Sequence, residues 1–111
     1  MTQPAELPPA SPALTVHAAA ASLRSTAGAA LADLDTDSYW SCYDRATAWR
    51  DGFENGMGGV CSQLAAVFTP ELALEIADWL DETASAAART GAPIPPLALA
   101  FTRGAVPVAQ R

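Results

Sequence analysis

From Tyr39 to Phe68 the large apolar residues stay in helical phase through a run of glycines, and no other feature constrains this chain as much. At about 100° per residue, Tyr39, Tyr43, Trp49, Phe53, Met57, Val60, Leu64 and Phe68 fall on one face, with Gly52, Gly56 and Gly59 on a stripe beside it. A glycine costs roughly 1 kcal/mol against alanine inside a helix. Three on one stripe predict helix packing at a place where another backbone comes unusually close. Phase coherence favours one helix over two across 37–68, and any kink falls at Gly56–Gly59.

The flanking segments complete an all-α reading: a small three-helix domain with a long central helix and irregular, proline-rich ends. The first helix is expected over 13–34. Val16, Ala20, Leu23, Ala27, Ala30 and Leu34 form a heptad-like seam there. Half of that seam is alanine, so the glycine stripe is its natural partner. Leu34-Asp35-Thr36-Asp37 reads as the turn, with Thr36 or Asp37 as N-cap of the central helix. Thr69-Pro70-Glu71 is the most specific local signal: an N-cap hydroxyl, proline at N1 and an acid in the first turn. The helix it opens is expected over 70–89, with Gly91 as its stop. The helical domain thus spans 13–90. Pro4, Pro8, Pro9 and Pro12 make 1–12 a disordered or polyproline-like lead. Beyond Gly91, four more prolines and the alternation of Leu97, Leu99 and Phe101 with alanine predict an extended tail over 91–111.

With 111 residues, the chain is sized for one domain with a modest core. It has no lysine, and twelve acids against six arginines leave a net charge of −6. That balance argues against a phosphate backbone as the primary ligand, while permitting a basic protein partner. Glu6 and the early prolines do not suit a signal peptide, and no apolar run approaches the ~20 residues of a membrane span. A cytoplasmic protein is the expectation. Cys42 and Cys61, on one helix, would lie roughly 28 Å apart, too far for a disulfide, so both read as buried, inert thiols. One histidine and two scattered cysteines lack the tight pairs of a zinc site, and no metal or other cofactor is expected.

Three features are candidates for binding a partner. Glu71, Glu75, Asp78 and Glu82 line one side of the third helix, opposite an apolar face of Leu72, Ile76, Trp79, Leu80, Thr83 and Ala87. The stripe is either a docking face for a basic partner or a solvated surface. Trp40 points away from the apolar arc, which makes it either an interaction hot spot or a ring folded down on a neighbouring helix. Arg50 falls inside the arc, where it must snorkel, stack on Tyr43 or pair with Glu54. No nucleophile is placed beside a base. His17 has no acid in local register, and only a distant one such as Asp78 could reach it through the fold. Gly56-Met57-Gly58-Gly59 lacks the lysine and the preceding strand of a phosphate loop. These residues point to a non-enzymatic interaction protein, an adaptor, inhibitor or accessory subunit docking on another protein. The alternatives are a self-assembling protein such as a homodimer, or a small-molecule binder with a pocket near Tyr43, Arg50 and Phe53.

Overall fold

The computed structural model describes residues 11–105, so the expected lead up to position 10 and the end of the tail lie outside the described residues. Among the described residues all regular structure is helical: α1 (Pro12–Thr36), α2 (Ala48–Gly56), α3 (Gly59–Val67), α4 (Pro70–Thr90) and α5 (Pro96–Ala105). Five helices stand where three were expected. The described residues form two compact units, one running up to Ser22 and resuming at Asp78 (unit 1), the other Leu23–Ala77 (unit 2).

The outer long helices follow their local signals. Ser11 caps α1, its hydroxyl accepting the Leu14 N–H at 3.2 Å, and Pro12 takes the first helical position, where no N–H is needed. Val16, Ala20, Ala27 and Leu34 of the heptad-like seam are buried. Thr69 caps α4 by accepting the Leu72 N–H at 3.1 Å, and Gly91 ends that helix at a φ of 72°. In the part of α4 belonging to unit 1, the buried residues are Leu80 and Ala84. Trp79 and Thr83 are only half-buried.

The tail is the first correction. Residues 91–95 carry no regular structure, but Pro96 opens α5 instead of forbidding it, because proline is tolerated at N1. Ala98 and Thr102, one turn apart, are its buried positions, and the Thr102 hydroxyl donates back to the Ala98 carbonyl at 2.8 Å. Leu97 and Leu99, which suggested a strand, are exposed.

The central helix is the second correction. Residues 38–47 form successive turns, not helix. Asp37 Oδ1 accepts the Tyr39 N–H at 2.8 Å, and Asp44 Oδ1 accepts the Ala46 N–H at 3.0 Å. Such short-range bonds offer the backbone an alternative to the helix ladder. A second break lies between α2 and α3. Gly58 and Gly59 adopt φ values of 72° and 75°, a left-handed conformation that glycine reaches without steric cost. Helical phase across the whole stretch was therefore a property of the sequence alone.

Candidate functional site

Unit 2 is organised by an aromatic cluster on the bare side of α2. Ala48 and Gly52, one turn apart, are buried there. The Trp40 ring lies directly on Gly52 and stacks on Trp49, centroids 5.9 Å apart and planes within 12°. Tyr39 meets Trp40 edge-on at 4.9 Å and donates its hydroxyl to the Gly52 carbonyl at 2.7 Å. Trp49 in turn contacts Phe53 at 4.8 Å. Burial among these rings raises the Tyr43 phenol above its ordinary pKa, with hydrogen bonding to Tyr39 acting in the same direction. Gly52 does receive an unusually close neighbour, which is an indole instead of a second backbone. Gly56 faces the Tyr39 hydroxyl, whereas Gly59 has open space and serves its positive φ.

Trp40 is thus the folded-down ring, half-buried against α2. Arg50 neither stacks on Tyr43 nor pairs with Glu54. It is exposed and bonds the adjacent Asp51 at 3.3 Å. The expected pocket near Tyr43, Arg50 and Phe53 is a hollow of about 250 Å³ lined by Tyr39, Trp40, Gly52, Phe53, Gly56 and Met57. Neither Tyr43 nor Arg50 lines it.

The feature that sequence reasoning missed is the orientation of α3. Its buried residues are small, Ser62 and Ala66, one turn apart. Its large apolar residues face out: Val60 is 76% exposed, Leu64 65% and Val67 60%, with Met57 at 61% just before the helix and Phe68 at 48% just after it. An apolar arc expected to be core is therefore solvent-facing over its second half. Leu72, in the first turn of α4, is exposed as well. The signal that could have found this is the Ser62–Ala66 pair, which offers a close-packing surface opposite the bulky stripe.

Comparison with known proteins finds no matching family model, no matching curated protein and no matching solved structure. The candidate site rests on its own geometry.

Glu71, Glu75, Asp78 and Glu82 of α4 are all exposed. Glu71 and Glu75 belong to unit 2 and stand at the start of the helix that follows the α3 stripe, whereas Asp78 and Glu82 belong to unit 1. Asp78 already has an interaction partner within the chain. His17 does find a carboxylate through the fold, and it is Asp81: Nδ1 and Oδ1 are 2.8 Å apart. Both side chains are partly solvated. Cys42 and Cys61 are free thiols as expected, but exposed instead of buried. In unit 1, a second hollow of about 500 Å³ lies among Pro12, Ala13, Ala87, Ala88, Ile94 and Leu99. No single helix among the described residues is long and apolar enough to cross a membrane.

Proposed function

We propose that this protein is an interaction module that docks on another protein through the outward face of α3, as an adaptor, inhibitor or accessory subunit without catalytic activity of its own. The observation that carries this reading is the reversed helix: Ser62 and Ala66 are buried while Val60, Leu64 and Val67 stand in water. Burying a valine or leucine side chain is worth about 1.5–3 kcal/mol. A fold that leaves three in line on one short helix forgoes that stabilisation unless a partner supplies the cover. The same face supports self-association as the second reading, since a homodimer would cover it equally well.

The experiment is affinity capture from the source cell with the wild-type chain and with a Val60→Gln/Leu64→Gln variant as parallel baits. A protein recovered near stoichiometrically by the first and lost by the second supports the proposal. Equal recovery by both baits would move the docking surface elsewhere.

A further inference from the structure

We infer that the occupant of the α3 face is an amphipathic helix of a different protein, with an apolar seam and basic flanks, and not a second copy of this chain. The inference rests on the interaction reading above and names the partner that face takes. Val60, Leu64 and Val67 succeed one another at steps of four and three residues, the spacing by which one helix presents a seam to another. All three are more than half exposed. A two-turn ridge of this kind is matched by a second helix. It offers no open sheet edge for a strand, because the regular elements of unit 2 are all helical.

Charge then chooses between partners. From Met57 to Pro70 no residue is charged, so the seam itself is neutral. The unit around it is not. Leu23–Ala77 holds eight carboxylates and three arginines, whereas the rest of the chain holds four and three. Most of the net charge of −6 is therefore concentrated in the unit that carries the exposed stripe. Arg45 and Arg50 are already bonded to Asp35 and Asp51. Glu71 and Glu75 are exposed in the first turns of α4, immediately after the stripe. A second copy would bring the same excess of carboxylate to the interface, and like charges within a Debye length of about 8 Å repel. Lysine or arginine on either side of an apolar seam would be attracted instead.

The test uses the full chain and two fluorescent designed peptides that share one leucine seam, one flanked by lysine and arginine, the other by glutamate. Anisotropy should show the basic-flanked peptide binding roughly tenfold or more tighter than the acidic one, with added salt narrowing the gap. Val60→Gln/Leu64→Gln, which changes no charge, should abolish binding of both. Glu71→Lys/Glu75→Lys should weaken the basic peptide alone. Circular dichroism checks that each variant keeps its helicity. Equal binding of the two peptides, lost in the glutamine variant, would overturn the charge inference and leave α3 as a docking face. A dimer in sedimentation velocity that the glutamine variant dissociates would overturn it in favour of a second copy. Binding of neither peptide by a monomeric chain would overturn both the inference and the reading beneath it, and α3-dependent association with phosphatidylcholine vesicles would then assign the stripe to lipid.

Discussion

The indole of Trp40 occupies the space where a side chain at Gly52 would begin. A Cβ at position 52 would overlap the six-membered ring at Cζ3, with Cε3 and Cη2 each 3.0 Å away. The ring cannot simply swing aside, because its plane is stacked on Trp49, and Tyr39 is bonded to the Gly52 carbonyl from the same turn. The absence of a side chain at one helical position thus holds the 38–47 turns against α2.

Gly52→Ala is therefore expected to destabilise the protein despite improving helix propensity. The propensity gain is about 1 kcal/mol, while forcing atoms into a packed site costs about 1–3 kcal/mol. Gly28→Ala is the control, since that glycine lies mid-helix in α1 with nothing within 4 Å. It should gain roughly 0.5–1 kcal/mol. Thermal melting with tryptophan fluorescence separates the two, and equal stabilisation by both would sink the account of Trp40.

The Gly59→Ala variant tests a different use of glycine. Nothing lies within 4 Å of its missing side chain, so packing predicts no penalty. Its φ of 75° predicts one, because a left-handed conformation costs an L-residue about 1–2 kcal/mol. Urea denaturation of Gly59→Ala should show that loss, with Gly59→Asn recovering part of it. A neutral alanine variant would mean that α2 and α3 can join into the single helix the apolar phase suggested.

Thr69 supplies the N-cap of α4, and its hydroxyl holds the Leu72 amide at 3.1 Å. Thr69→Ala should cost about 1 kcal/mol, and Thr69→Asp should restore most of it. Equal stability of all three chains would show that the cap is dispensable.

Legibility in the sequence divided along physical lines. Helices α1 and α4 carry their own punctuation, a heptad-like seam in one and Thr69-Pro70 with Gly91 in the other, so local chemistry sufficed. The 38–47 turns depend on Asp37 and Asp44 bonding nearby backbone and on Trp40 reaching Gly52, which are competitions between structures that periodicity does not weigh. In α5, the alternation of Leu97, Leu99 and Phe101 outvoted the buried pair Ala98 and Thr102. His17 and Asp81 are 64 residues apart, and only the fold brings them together. For α3, hydrophobicity identified the stripe correctly but gave it the wrong neighbour.

The last prediction reverses the usual expectation for polar and apolar residues, and it bears directly on that stripe. Ser62 is fully buried, and among the described residues its hydroxyl has no hydrogen-bond partner. A buried hydroxyl left unpaired costs about 1–3 kcal/mol, and alanine is the better helix former. Ser62→Ala should therefore stabilise the chain by about 1 kcal/mol or more. Leu64, two positions on, is 65% exposed. Leucine and glutamine have similar helix propensities, so Leu64→Gln should change stability by no more than about 0.5 kcal/mol. Chemical denaturation of both variants decides the orientation of α3. If Leu64→Gln instead cost roughly 2 kcal/mol or more, as truncating a core leucine does, the stripe would be covered within the folded protein and unavailable to any partner.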